Sequence, residues 1–166
     1  MSGSILIAVG ANLPSPVHGS PRATCEAALA ELARRGLHIV RRSRWFESAP
    51  VPVSDQPWYV NGVVAVATDL PPAELLALLH EVEHQFGRER REVNAARVLD
   101  LDLVAYGDLV RTDPPPVLPH PRMAERAFVV LPLADVAPDW RHPVTGKSIA
   151  DLCAALPADQ SIRPLP

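Results

Sequence analysis

Aromatic residues make up only 5% of this 166-residue chain. That scarcity argues against a sheet that recognises nucleic acid by stacking bases on exposed rings. Cysteine is scarcer still. Cys25 and Cys153 stand far apart, which excludes a cysteine metal cluster and the disulfide framework of small secreted domains; Cys25 falls in a helical pattern and reads as a small apolar packing residue. There is no surplus of positive charge, since the net charge is −3, so no general attraction to nucleic acid or to an anionic membrane is expected. No apolar run approaches the ~20 residues of a membrane helix. No basic stretch leads into a long apolar one near the start, so the expectation is a soluble, cytoplasmic protein without a signal peptide.

What is abundant is proline, with 19 residues mostly in short clusters between apolar segments. Prolines so placed stiffen connections and narrow the unfolded ensemble. The 48% hydrophobic and 21% charged content is that of a globular protein. Length and the absence of a linker or repeat predict one domain over residues 1–166, and without a dimerisation motif a monomer is expected.

Ile5 to Gly10 is a short apolar run suited to a buried strand. Ser20 and Pro21 form an N-cap and first helical position, and Gly36 stops the helix they begin. Leu37 to Phe46 alternates as one strand, a proline-rich loop spans Ser48 to Pro57, and the valine-rich stretch Tyr59 to Thr68 is a further strand. Leu75, Leu79, Val82 and Phe86 recur at helical spacing in a second helix that starts near Pro71 and ends at Gly87. Val98 to Tyr106 follows as a strand, and Pro114 to Pro121 as a rigid loop. Ala127 to Val136 reads as a short helix interrupted or ended near Pro132, and Ser148 to Leu156 as the last helix. The order predicts an α+β fold with a split β-α-β-β-α-β core, an antiparallel sheet with helices on one face, and a C-terminal extension.

The strongest chemical signal is Leu99-Asp100-Leu101-Asp102-Leu103. Strand alternation puts Leu99, Leu101, Leu103 and Ala105 on one face and both aspartates on the other, roughly 7 Å apart. Two carboxylates so placed repel unless a divalent cation lies between them, and their hard oxygens suit magnesium on a phosphate chain. A wet strand face that happens to carry two aspartates is the plainer reading. Arg88, Arg90, Arg91 and Arg97 lie within ten residues just upstream and match phosphate oxygens in geometry and charge; a solvated basic turn paired with Glu89 and Glu92 is the alternative, preferred for Arg91. His120, held between Pro119 and Pro121, is placed to donate to a phosphate or is a surface histidine in a stiff turn. Arg126 and Phe128 follow it, Phe128 equally suited to the core. Asn61 is an amide inside an apolar strand and must be hydrogen-bonded; with Tyr59 on the same face it could read a flat heterocycle.

The segment GRERREVNAARVLDLDLVAYG, from Gly87 to Gly107, resembles the 6-hydroxymethyl-7,8-dihydropterin pyrophosphokinase family, as do IAVGANL, SAPVPVSDQPWYVN and LPHPRMAERAFVVLPLADVAP in the same order. The resemblance implies a ferredoxin-like fold and pyrophosphoryl transfer from ATP to the pterin hydroxymethyl oxygen, with release of AMP. It further implies that Asp100 and Asp102 are ligands of two magnesium ions and that Arg88 and Arg97 steady the transferring group. Glu83, Arg90, Arg97, His120 and Arg126 would contact ATP, with His80 near the adenosine. Ser48, Val51, Tyr59, Asn61 and Phe128 would hold the pterin, with Asn12 in a loop near the acceptor. Val93 and Ala96 depart from the usual arginine-loop pattern, and Pro52 replaces a frequent glycine. An inactive pterin- or nucleotide-binding relative, or an RNA-binding module of the same topology, are the competing expectations.

Overall fold

A computed structural model of the chain describes residues 4–50, 57–87 and 98–166. The elements run β1 (Ile5–Ala11), α1 (Pro21–Arg34), β2 (His38–Arg42), β3 (Phe46–Ser48), β4 (Tyr59–Ala67), α2 (Pro72–Gln85), β5 (Asp100–Tyr106), a 3-10 turn (Met123–Glu125), α3 (Ala127–Val136), α4 (Ile149–Ala154) and β6 (Ile162–Pro164). The sheet is ordered β5-β1-β4-β3-β6, with β2 beside β3 on the same flank of β4. Every pairing is antiparallel. The expected split β-α-β-β-α-β core is therefore present, with β6 added at its edge.

Capping follows the local chemistry. Ser20 Oγ accepts from Ala23 N at 3.2 Å and Pro21 opens α1, where its missing N–H costs nothing. Gly36 then takes φ 101°, a left-handed conformation that lets the chain turn back toward β2. α2 buries Leu75, Leu79 and Val82 completely, and beside them Glu83 at 1% exposure.

The pleat divides the sheet into two dry faces. Ile7, Val9, Val64, Val66, Leu101 and Leu103 pack with α1 and α2, whereas Leu6, Val63, Ala65 and Val104 pack with α3 and α4. Helices were expected on one face only; the C-terminal extension supplies the second layer. Burial on both sides explains why Val63 to Val66 is a continuous apolar run rather than an alternating one. Each fully buried leucine contributes about 1.5–3 kcal/mol relative to exposure.

Four local expectations are corrected. Ala105 leaves the leucine face, because a bulge opposite Leu6 and Ile7 pairs those residues with Ala105 and Leu103 and leaves Val104 as the extra residue; one inserted residue reverses the alternation beyond it. Leu37 to Phe46 is two short strands rather than one. At the break, Ser43 Oγ accepts from Val63 N at 2.9 Å, Asp135 takes Arg44 N at 3.0 Å, and Trp45 Nε1 donates to Glu26 at 2.7 Å. α3 continues through Pro132 to Val136. Its burial against the sheet through Val129, Val130, Leu133 and Val136 outweighs the roughly 3 kcal/mol that an internal proline costs. The tail, expected to be without a strand, forms β6 against β3.

No helix among the described residues is long and apolar enough to cross a membrane. Gly62 shows how tightly the break is packed, since a Cβ there would meet Trp45 ring atoms at 2.6 and 2.7 Å. The ring cannot swing aside without losing its bond to Glu26. Gly62→Ala should therefore destabilise the fold by about 1–3 kcal/mol, measurable as a lower denaturant midpoint with an unchanged slope; an unshifted midpoint would show that the ring moves freely.

Candidate active site

Backbone register places the chemistry-bearing residues in rows across one face of the sheet. Asp100 of β5 lies opposite Gly10 of β1, Gly10 opposite Asn61 of β4, and Asn61 opposite Phe46 of β3. In the next row Asp102 lies opposite Ala8, itself opposite Val63. Residues directly opposite in a ladder point to the same side, so both aspartates and Asn61 share the face that α3 covers further along. Between them β1 contributes only Gly10 and Ala8, which leaves the space above the sheet open.

Asn61 is buried, 5% exposed, and its Oδ1 accepts from Ser48 Oγ at 2.6 Å. That bond fixes the amide orientation, and the NH2 end reaches over Gly10, where an added Cβ would meet Nδ2 at 2.8 Å. Gly10 is thus a further candidate site residue, one that strand and loop patterns did not single out, although a glycine inside an apolar strand is itself a signal of close approach. Tyr59, two residues before Asn61 on β4, pairs with Ser48. Asn12, just past β1, is buried and donates to Pro57 O at 3.1 Å, tying the loop after β1 to the segment that enters β4.

On the other flank the loop after β5 carries His120 and ends at Arg126, the residue before α3, whose first turn holds Phe128. The bulged Val104 gives its carbonyl to His120 N at 2.8 Å, so the irregularity in β5 also sets where the histidine sits. Burial pushes His120 below the ordinary histidine pKa, the positive charges of Arg126 and Arg122 push the same way, and Asp100 opposes them. The His120 Nδ1 accepts from Arg122 N at 3.2 Å, so in the neutral form the proton sits on Nε2, which becomes the donor. The Arg126 guanidinium lies 5.4 Å over the Phe128 ring, joining a cation to an apolar face.

Glu83 was expected beside the nucleotide. Glu83 is buried on α2, and its carboxylate accepts from Leu101 N at 2.7 Å, the peptide group between the two aspartates. β5 is the edge of the sheet, and an edge N–H needs a partner when buried. Glu83 supplies it and anchors the strand that carries Asp100 and Asp102. His80 is exposed on α2. Arg88, Arg90, Arg97 and Val51, together with Pro52, Val93 and Ala96, lie outside the described residues.

Among the described residues no group of three or more histidine, cysteine, aspartate or glutamate side chains could hold a metal ion by itself. Two half-buried carboxylates on one face, with small residues opposite, fit a cation that arrives on a phosphate chain and keeps other oxygen ligands, as magnesium does.

Residues 6–138 match the family described as 7,8-dihydro-6-hydroxymethylpterin-pyrophosphokinase. Over 128 residues the chain is 44% identical to a Synechocystis 2-amino-4-hydroxy-6-hydroxymethyldihydropteridine pyrophosphokinase, covering 76% of this chain and 65% of that one. A protein of the same name from Pseudomonas aeruginosa is 39% identical over 154 residues, covering 92% and 91%. The fold is similar to that of a Plasmodium falciparum HPPK-DHPS crystal structure, with a TM-score of 0.67 at 13% identity, over 89% of this chain and 42% of that one. The chain thus spans just under two thirds of the Synechocystis relative and less than half of the crystallised chain.

Two outcomes follow from the geometry. Gly10→Ala should displace the Asn61 amide and weaken its bond to Ser48, lowering stability by about 1–3 kcal/mol; chemical denaturation measures this, and an unchanged stability would mean that Asn61 is not held. The His120 ring should titrate by NMR below the ordinary histidine value of about 6.5. Because the unfolded chain then takes up the proton first, His120 should make stability fall as pH drops through that range. An ordinary midpoint would mean that the ring is solvated.

Proposed function

The chain belongs to the 7,8-dihydro-6-hydroxymethylpterin-pyrophosphokinase family, and on that premise we propose that it transfers the pyrophosphoryl group of ATP to the hydroxymethyl oxygen of 6-hydroxymethyl-7,8-dihydropterin, releasing AMP, as a step of folate biosynthesis. The observation that carries this reading is the row Asp100–Gly10–Asn61, a carboxylate and an amide on one face with only a glycine between them.

On the pterin side, Asn61 presents its NH2 to an acceptor on the ring edge while Ser48 holds the amide in place. Tyr59 and Phe128 supply flat apolar surface, and Val51 completes this side. On the nucleotide side, His120 donates from Nε2 to a phosphate oxygen, and Arg126 offers a second, permanently charged partner. Arg88, Arg90 and Arg97 belong to the same half of the reaction, where guanidinium groups offset charge on the transferring and departing oxygens. Asp100 and Asp102 would hold magnesium, two ions in this reading, and the metal would supply charge neutralisation along the phosphate chain.

Transfer of this kind rests on alignment and charge stabilisation, with little covalent work for the protein. A loose transition state also explains why no strong general base is needed beside the hydroxymethyl group. Glu83 acts from beneath by keeping β5 in register, so the two carboxylates meet the phosphates from fixed positions. One chain carries every group that this scheme uses, so a monomer suffices. The competing RNA-binding reading loses support from the fold, because the sheet face that such modules open to bases is here packed against α3 and α4.

The test is AMP release from ATP and magnesium, with and without the pterin. AMP should form only when the pterin is present, and Asp102→Ala should lower the rate by at least about a hundredfold while leaving the melting temperature close to that of the parent chain. A near-normal rate in Asp102→Ala would sink the metal assignment. ATP binding without AMP release in the unaltered chain would instead make it a binding-only relative.

A further inference from the structure

Arg126 is held by a residue far along the chain. α3 begins at Ala127 without a side-chain cap from its own N-cap, and that N-cap is Arg126, in an extended conformation with φ −109° and ψ 108°. The missing cap comes from the tail. Gln160 Oε1 accepts from Ala127 N at 2.9 Å, and Gln160 Nε2 donates to Glu125 O at 2.6 Å. One side-chain amide thus makes a two-point pair with the backbone on both sides of Arg126, as a neighbouring strand would. Gln160 lies outside residues 6–138, the stretch that matches the family.

The residues after Gln160 run directly onto the other half of the site. Ser161 O accepts from Ala49 N at 2.9 Å, and β6 pairs with β3 so that Ile162 lies opposite Ser48. Ser48 in turn holds Asn61. A short stretch of tail therefore clamps the Arg126 backbone at one end and backs the Ser48 strand at the other.

We propose that Gln160 is a positioning residue for the nucleotide: it fixes the Arg126 backbone so that the guanidinium meets the ATP phosphates without first having to be ordered. This rests on the reading of Arg126 as an ATP-side residue. Ordering a flexible cation at the moment of binding costs affinity, and a backbone clamp removes that cost beforehand. The effect falls on ATP binding, since the two hydrogen bonds of Gln160 go to the backbone flanking Arg126.

The experiment compares Gln160→Met, of equal length but without hydrogen bonds, with Arg163→Ala. The latter breaks the Arg163–Glu47 ion pair on the same tail away from α3. In calorimetric titrations with magnesium and ATP, Gln160→Met should bind about tenfold more weakly, the cost of ordering one long side chain at the moment of binding. Its KM for ATP should rise in parallel, with kcat within about twofold of the parent by the same reasoning, because binding alone is weakened. The Ala127 amide should exchange faster with solvent. Arg163→Ala should keep the parent affinity even where its melting temperature falls as far. Unchanged ATP affinity in Gln160→Met overturns the proposal, and so does an equal loss in both variants, which would make the clamp a matter of general stability. If the unaltered chain binds no ATP, the functional reading and this inference fall together; if it binds and Gln160→Met binds equally, only the inference falls.

Discussion

β1 shares backbone hydrogen bonds with β5 on one side and β4 on the other, so a single strand sets Asp100 against Gly10 and Gly10 against Asn61. Hydrogen-bonded register is a discrete quantity, and a slip by one residue would turn every side chain to the opposite face. Both faces are dry over most of their area, which makes such a slip prohibitive. The spacing between the carboxylates and the amide is therefore inherited from the hydrophobic core. Site and core are read out by the same pleat.

The edges of this arrangement are secured by polar groups acting locally. Glu83 reaches from α2 to the Leu101 N–H, where β5 has no neighbouring strand. Ser48 reaches from β3 to Asn61. At the α3 side the Val104 carbonyl holds the His120 backbone. Each contact is a single bond of modest net strength, yet each acts on a candidate functional residue or the one beside it, where small displacements matter most.

Much of this was legible from local pattern. The strands around Ile7, Val64 and Leu101, the caps at Ser20 and Gly36, and the aspartate pair all follow from alternation, helical spacing and turn chemistry, which act over a few residues. What escaped depends on partners distant in the chain. The break at residues 43–45 requires Glu26 and Asp135, and the persistence of α3 through Pro132 requires a sheet to bury it. β6 forms because β3 offers an unpaired edge. The anchoring of β5 by Glu83 likewise depends on a distant partner, the Leu101 N–H, and is seen only in the folded chain. The arginine loop carries the densest charge pattern in the sequence, and its roles rest on sequence resemblance alone.

The extra residue at Val104 has a consequence for how this strand can change over generations. On the Asp100 side of the bulge, odd-numbered positions face α1 and α2; beyond it the parity is exchanged. β5 therefore behaves like a message with a built-in shift of reading frame. Substitutions within either frame are local events, each answered by one neighbour. Loss or gain of a single residue would carry one half of the strand into the wrong frame, exposing leucines or burying aspartates together. Length, more than identity, is what descendants of this sequence are least free to vary here.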